Sequence, residues 1–264
     1  MEINKTIHYC WFGRGQKSEI ILKCIESWKK YAPDWKIIEW NEDNYDVNKN
    51  EFVKGAYKEK RWAFVSDYAR LDVLLNYGGV YLDTDVEILC ENPFEKYIKY
   101  DNVLAFETAR AINSGMFFLS KQNTELCQAL IEPYNELVFD TENLPVNSFF
   151  NKPVIDKFFP SLKYNNQTQE MKSCLIISSI EYGALMKHYG TRSWCENLPK
   201  YKVSKDNWLK RVLRNPKIFE TFENNKVLRR ILPLYTFLSY DLLDLGPIFY
   251  VKLKLNNRKS RKIK

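Results

Sequence analysis

The opening forty residues constrain the fold most strongly, because strand-like and helix-like patterns alternate there without a hairpin turn. A β-branched and aromatic run, Thr6-Ile7-His8-Tyr9-Cys10-Trp11-Phe12, ends at Gly13. Apolar residues then recur at helical spacing between Ser18, a candidate N-cap, and Pro33, and a second strand-like run covers 35–40. A strand, a helix and a strand in this order predict a βαβ unit and a parallel sheet.

The chain continues with the same alternation, which predicts the α/β class. An amphipathic helix is predicted over 61–76 and ends at Gly78-Gly79. Two short apolar strands, 80–82 and 86–89, then flank Asp83-Thr84-Asp85. Further strands are predicted at 103–106, 116–119 and 175–178, and further helices at 124–138 and 206–214.

Charge divides the chain into two regions. Residues 1–199 carry 23 Lys/Arg and 28 Asp/Glu, whereas residues 200–264 carry 17 and 5. We therefore predict a catalytic α/β domain over 1–200 and a basic, apolar-aromatic helical extension over 201–264. The basic residues are separated from the acidic, aromatic-rich body and no nucleic-acid-binding motif appears, so we expect no nucleic-acid partner.

The acidic segment Asp83-Thr84-Asp85 is the most informative motif. It follows a buried apolar strand and is expected at the carboxyl edge of the sheet, where open α/β sheets bind ligands. In an extended segment its two carboxylates point the same way and could address one hard cation. Asp67 and Arg70 share a face of the preceding helix, and an arginine there suits a diphosphate. A solvated acidic turn and a surface ion pair remain the alternatives.

Three segments together resemble the DXD region of glycosyltransferase family 32: Ile7-His8-Tyr9-Cys10-Trp11-Phe12-Gly13, Ala63-Phe64-Val65-Ser66-Asp67-Tyr68-Ala69-Arg70 and Tyr77-Gly78-Gly79-Val80-Tyr81-Leu82-Asp83-Thr84-Asp85. That family includes bacterial capsule-synthesis transferases, yeast mannosyltransferases and, more distantly, the glucosylating domains of large clostridial toxins. The resemblance implies a GT-A fold, which is a Rossmann-like nucleotide-sugar-binding α/β domain with a mostly parallel central sheet. It also implies transfer of a hexose with retention of anomeric configuration.

The resemblance assigns roles to individual positions. It implies that Trp11 stacks on the nucleotide base. It implies that Asp83 and Asp85 bind Mn²⁺ or Mg²⁺, and that Asp83 also contacts ribose and sugar. The remaining nucleotide-sugar contacts that it implies come from the helix and strand before this motif: Ser66, Asp67, Arg70 and Tyr81. Catalysis is then assigned to Asp67, Arg70, Asp83 and Asp85.

Later segments resemble the family more weakly. Asn113 and the two residues after it resemble a loop that meets the donor sugar, and an ordinary turn is the alternative. His188 with Ser193-Trp194 resembles a late motif that closes over the diphosphate, so His188 is a candidate third metal ligand. Packing in the core is the alternative for His188, and His8 is expected to be a structural histidine on a buried strand.

The resemblance also implies partners. The donor is a nucleotide-diphosphate sugar, with UDP favoured and GDP possible. The acceptor is a saccharide or a lipid-linked saccharide in bacterial capsule, exopolysaccharide or O-antigen synthesis. No general base with clear spacing is present, and a retaining transferase does not require one, because the departing diphosphate can take the acceptor proton.

The C-terminal region suggests where the protein acts. Residues 231–251 are apolar and aromatic, but Asp241 and Asp244 argue against a transmembrane helix. Basic residues on both sides favour docking on an anionic membrane surface. No cleavable signal peptide is visible at the start. We therefore expect a cytoplasmic protein, peripheral on the inner face of the plasma membrane.

Two other function classes remain as alternatives. A haloacid-dehalogenase-like phosphatase would use Asp83 as nucleophile, but its D-x-D-x-[TV] pattern requires Thr or Val where this chain has Glu87. A basic nucleic-acid-binding protein would use the charged C-terminal region.

Overall fold

The computed structural model describes residues 2–109, 111–141 and 147–191. Strands and helices alternate along these ranges. The strands are β1 (Thr6–Cys10), β2 (Lys36–Trp40), β3 (Gly79–Tyr81), β4 (Val86–Ile88), β5 (Asn102–Thr108), β6 (Ala111–Ile112), β7 (Phe118–Ser120), β8 (Gln169–Met171), β9 (Cys174–Ile177) and β10 (Met186–His188). The α-helices are α1 (Glu19–Tyr31), α2 (Glu51–Lys58), α3 (Trp62–Tyr77), α4 (Glu125–Asn135), α5 (Asn147–Phe150), α6 (Lys152–Phe158) and α7 (Ser179–Leu185).

The central sheet has the strand order β2-β1-β3-β7-β5-β9-β8. Strands β2, β1 and β3 are mutually parallel, as are β5 and β9, while β7 and β8 run antiparallel to their neighbours. Because β7 is antiparallel to both β3 and β5, those two groups of strands point the same way. The predicted α/β class and the mostly parallel central sheet are confirmed.

The βαβ unit predicted from the first forty residues is present. Strands β1 and β2 pair in parallel, with Ile7 opposite Ile37. Ser18 occupies the N-cap of α1 with an extended backbone, but its side chain makes no capping hydrogen bond. Strand β1 ends at Cys10, so Trp11 already lies in the loop beyond the sheet edge.

The central helix α3 is more deeply buried than an amphipathic pattern predicts. It packs against β1, β3 and β7 and also against α2 and α4. Even its polar residues Asp67, Arg70 and Asp72 are almost fully buried. Helices α2 and α4 cover the side of α3 that faces away from the sheet. Gly78 ends the helix with a φ of +63°, as the Gly-Gly signal predicts.

Several short elements were not predicted. Helix α2 begins at Glu51 and is capped by Asn50, whose side-chain oxygen accepts a hydrogen bond from the Val53 amide at 2.8 Å. Helices α5, α6 and α7 and strands β6, β8 and β10 were also absent from the sequence expectations. Helix α4 ends at Asn135, three residues earlier than expected.

The C-terminal predictions lie outside the described residues. These are the domain boundary at 200, the helix at 206–214 and the apolar segment 231–251. Among the helices that the structure does describe, none combines the length and the apolar character that a membrane crossing requires.

Three chain segments meet at one edge of the sheet. Strands β1 and β3 end there, and the antiparallel β7 begins there. The Leu82 amide donates to the His8 carbonyl at 3.1 Å, and the Asp83 amide donates to the Gly115 carbonyl at 2.7 Å. The acidic motif is therefore anchored by backbone hydrogen bonds on both sides.

His8 is a buried structural histidine, as the sequence predicts. The Trp40 indole Nε1 donates to His8 Nδ1 at 3.0 Å, so the proton resides on Nε2, which donates to the Gly78 carbonyl at 2.8 Å. Burial lowers the pKa of His8 to about 4, although the Gly78 carbonyl opposes this shift. Protonation of Nδ1 would place its N–H group opposite the N–H group of the Trp40 indole, and the hydrogen bond between them would be lost.

This arrangement predicts acid sensitivity. The pKa of His8 is lower in the folded state than its ordinary value of 6.5, so the unfolded chain binds more protons between these values. Stability is therefore full above that window and is lost as the pH falls through it. When the pH falls from 7 to 5, protonation of His8 in the unfolded chain lowers the free energy of unfolding by about 2 kcal/mol.

Urea unfolding of wild type and His8→Gln at both pH values measures this contribution. Gln places an amide donor near Gly78 and does not titrate. The unfolding free energy of the variant is therefore expected to change by about 2 kcal/mol less than that of wild type between pH 7 and pH 5. Equal pH dependence in the two proteins would contradict the assignment.

Candidate active site

Arg70 lies at the centre of the acidic sheet edge and is 4% exposed. Its Nη2 donates to Asp83 Oδ1 at 3.1 Å and lies 3.1 Å from Asp67 Oδ1. Its Nε donates to the Ser66 carbonyl at 3.2 Å, and its guanidinium lies 4.9 Å from the ring centroid of Tyr81. The buried guanidinium of Arg70 thus joins helix α3 to the acidic motif, as the sequence analysis predicts.

Burial has the largest effect on the pKa values of Asp67 and Arg70. Burial raises the pKa of Asp67 to about 6, although the Arg70 charge and a hydrogen bond from Asn147 oppose it. Burial would lower the pKa of Arg70, but the charges of Asp83, Tyr81 and Asp67 outweigh it and raise the pKa. Arg70 therefore stays charged, and each carboxylate is held next to a fixed positive charge.

Asn147, which sequence reasoning missed, connects Asp67 to the loop before β7. Its Nδ2 donates to Asp67 Oδ1 at 3.0 Å, and the same amide exchanges hydrogen bonds with Ser114 Oγ at 3.0 and 3.1 Å. Asn151 Nδ2 donates to Asn147 Oδ1 at 3.1 Å, which fixes the orientation of the amide. No local pattern marks Asn147, because its partners lie 80 and 33 positions away in the chain.

Gly115 closes this network around the ion pair. Its carbonyl accepts the Asp83 amide, and its amide donates to Asn113 Oδ1 at 2.8 Å. A side-chain carbon added at Gly115 would collide with the Asp83 carboxylate and the Arg70 guanidinium. The backbone of this loop therefore lies directly against the Arg70–Asp83 pair.

The second acidic residue, Asp85, is 6% exposed and faces a different set of partners. His188 Nε2 lies 3.2 Å from Asp85 Oδ1, and Thr191 donates to Asp85 Oδ2. Burial would raise the pKa of Asp85, but His188 and Thr191 outweigh it and lower the pKa to about 2. Burial lowers the pKa of His188, whereas the hydrogen bond and charge of Asp85 outweigh this effect and raise it.

The acidic motif is a turn rather than an extended segment. The Val86 amide donates to the Asp83 carbonyl at 3.1 Å, which closes the turn. The expectation that both carboxylates point the same way through a strand's alternation was therefore wrong. They nevertheless converge, because the turn folds around the edge and β10 brings His188 alongside.

The convergence creates a candidate metal site. One ligand atom each from Asp83, Asp85 and His188 lie within 4.8 Å of one another. This spacing is slightly wider than two ligand distances of about 2.1 Å, so small side-chain rotations would let all three hold one ion. Two carboxylates and an imidazole are ligand types that divalent cations accept, so the residues fit the cation that the resemblance implies.

The other predicted residues are placed differently. The Trp11 indole donates to the Gly15 carbonyl at 2.8 Å, and Lys17 Nζ lies 5.3 Å from its ring centroid. The Ser66 hydroxyl donates to the Trp62 carbonyl one turn earlier at 3.0 Å. The contacts described for Trp11 thus join it to its own loop rather than to the acidic cluster. Ser193 and Trp194 lie outside the described residues.

The acidic motif and the helix before it lie in a segment that matches a protein-family model. Residues 18–108 match the model of the family described as glycosyltransferase sugar-binding region containing DXD motif. The match covers about a third of the chain, so it shows a similarity of this segment to the DXD region of glycosyltransferases. The matched segment includes Asp67, Arg70, Asp83 and Asp85.

More distant similarities are found with individual proteins. Subversion of eukaryotic traffic protein A of Legionella pneumophila is 25% identical to this chain, over 35% of this chain and 18% of that protein. The chain thus spans less than a fifth of that relative. The solved structure of PaToxG glycosyltransferase is 17% identical, with a TM-score of 0.45 over 60% of this chain and 70% of that one. A glycosyltransferase involved in glycosylation of the major capsid of PBCV-1 is 16% identical, with a TM-score of 0.40 over 70% and 93%.

The close approach of Gly115 predicts a specific sensitivity to a methyl group. Gly115→Ala forces Asp83 and Arg70 apart and is expected to lower the free energy of unfolding by about 1–3 kcal/mol, as overpacking does. Gly183→Ala is the matched control, because Gly183 lies in α7 and an added carbon there meets nothing within 4 Å.

Chemical denaturation of both variants checks this expectation. Gly183→Ala should stabilise the protein by about 0.5–1 kcal/mol, because alanine loses less backbone freedom in a helix. An unchanged stability of Gly115→Ala would show that the loop does not lie against the ion pair.

Proposed function

We propose that this chain is a metal-dependent glycosyltransferase that moves a hexose from a nucleotide-diphosphate sugar and retains its anomeric configuration. The observation that carries the proposal is the convergence of Asp83, Asp85 and His188 within 4.8 Å, beside the buried guanidinium of Arg70. A cation site next to a fixed positive charge is complementary to a diphosphate leaving group.

Arg70, Asp67 and Trp11 have different roles in the proposed reaction. Arg70 donates hydrogen bonds to the diphosphate and opposes the negative charge that develops as the glycosidic bond breaks. Asp67 accepts a hydrogen bond from a hydroxyl of the donor sugar and is held in place by Arg70 and Asn147. Trp11, in the loop just after β1, offers a ring face for the nucleotide base. The acceptor proton passes to the departing diphosphate oxygen on the same face of the sugar.

Asp83, Asp85 and His188 would hold the cation. When bound, it would neutralise charge on the diphosphate oxygens as the leaving group departs. Mg²⁺ prefers oxygen ligands in near-ideal octahedral geometry, whereas a softer ion accepts imidazole nitrogen more readily. The histidine in this set therefore favours Mn²⁺ over Mg²⁺.

The biological setting is proposed from the resemblance and from charge. We take UDP-sugar as the favoured donor, GDP-sugar as the other candidate, and a saccharide or lipid-linked saccharide as acceptor in capsule, exopolysaccharide or O-antigen synthesis. The basic residues near the C-terminus support docking on the anionic inner face of the plasma membrane, where a lipid-linked acceptor would lie. This is a proposal for a cytoplasmic, peripheral protein.

The Asp85 carboxylate tests the chemistry directly. Asp85→Asn keeps the size of the side chain but removes its charge, and is expected to lower donor turnover by about 10²–10³-fold, the usual loss of one stabilising contact. The assay incubates a panel of UDP- and GDP-sugars with Mn²⁺ and measures release of nucleoside diphosphate, which requires no acceptor.

A matched control tests whether loss of a carboxylate charge outside the site also lowers donor turnover. Asp101→Asn removes a carboxylate from a surface ion pair with Lys121 and should leave turnover unchanged. Full metal-dependent turnover by Asp85→Asn would contradict the proposed mechanism. Hydrolysis of phosphate monoesters, with a phosphorylated Asp83, would instead support the phosphatase alternative.

Membrane docking has its own test. Removal of residues 252–264 takes away seven Lys/Arg, and is expected to weaken sedimentation with vesicles containing anionic lipid at low salt. Neutral vesicles serve as the control. Equal binding of the shortened and full-length chains to anionic vesicles would exclude docking through this segment.

A further inference from the structure

Thr191 is bound to the Asp85 carboxylate through two donors. Its backbone amide donates to Asp85 Oδ2 at 2.8 Å, and its hydroxyl donates to the same oxygen at 2.9 Å. The other oxygen, Oδ1, lies 3.2 Å from His188 Nε2. The two carboxylate oxygens therefore have different partners, which come from the same short segment of chain.

The backbone of that segment directs Thr191 to Asp85. Strand β10 pairs antiparallel with β4, and the Tyr189 amide extends the pairing by donating to the Asp85 carbonyl at 3.0 Å. Gly190 then adopts a φ of +59°, which turns the chain back toward Asp85. An added carbon at Gly190 would meet nothing within 4 Å, so the glycine is required here by the backbone angle and not by space.

The two donors decide which oxygen a cation can use. A carboxylate oxygen has two lone pairs, and Thr191 uses both of those on Oδ2. Because Asp85 is 6% exposed, it cannot rotate freely into solvent to present Oδ2 instead. Oδ1 is the oxygen left on the side of His188.

We propose that Thr191 is a positioning residue that fixes the Asp85 carboxylate so that Oδ1 alone ligates the catalytic cation. This inference rests on the cation site of the proposed function and adds to it a residue that does not touch the ion. The hydroxyl is the part that can be tested, because every substitution except proline keeps the backbone amide. Partners of this kind typically change metal affinity 10–100-fold when they are removed.

Two substitutions at Thr191 separate the hydroxyl from the shape of the side chain. Thr191→Val keeps the branched shape and loses the hydroxyl, whereas Thr191→Ser keeps the hydroxyl and loses the methyl group. Titration of the full chain with MnCl₂, followed by the electron paramagnetic resonance signal of free Mn²⁺, measures affinity without any substrate. We expect 10–100-fold weaker binding for Thr191→Val and an affinity within about threefold of wild type for Thr191→Ser.

Thr168→Val is the matched control, because the Thr168 hydroxyl also donates to a carboxylate, that of Glu181, at 2.7 Å. It should leave Mn²⁺ affinity unchanged, and thermal unfolding of all variants checks that they are folded. Wild-type affinity in Thr191→Val, or equal losses in Thr191→Val and Thr191→Ser, would overturn the role of Thr191 while leaving the metal site intact. Failure of the wild type itself to bind Mn²⁺ would overturn both this inference and the proposed metal dependence.

Discussion

The buried guanidinium of Arg70 is the interaction on which the architecture of this edge depends. A charge with 4% exposure must be paired, because an isolated buried ion is very costly. Asp67 supplies one partner from within α3, and Asp83 supplies the other from the turn after β3. The pair therefore sets the position of the acidic turn relative to the helix. The same charge that stabilises the fold is also the one that the proposed function assigns to binding the diphosphate.

The part of the site that the sequence predicts is the part built from neighbouring positions. Asp67 and Arg70 are three residues apart on one helix, and Asp83 follows a short apolar strand, so period and spacing were sufficient to place them together. Asn147 and Thr191 were missed because they reach their partners across 80 and 106 positions. Nothing in their local sequence distinguishes them from other surface polar residues. His188 was found only through a resemblance.

The fold shows the same division. The βαβ opening, α3 and most central strands follow from clear periodicity. Helix α2 was missed because it is short and contains Gly55, although the Asn50 cap and the apolar residues Phe52, Val53 and Ala56 were available signals. That glycine allows Phe139 to approach the helix, a tertiary reason that no local rule contains. The burial of α3 on most sides was also invisible, since it depends on how α2 and α4 pack.

The ribbon of β4 and β10 has a consequence for how the protein is made. It joins residues 86–88 to residues 186–188, so His188 and Thr191 reach Asp85 only after about a hundred further residues have been added to the chain. The Arg70–Asp83 pair, by contrast, is encoded within fourteen consecutive positions. During synthesis on the ribosome, the contact between Arg70 and Asp83 can thus form early. The contacts of His188 and Thr191 with Asp85 can form only after the segment around residue 190 has emerged from the exit tunnel.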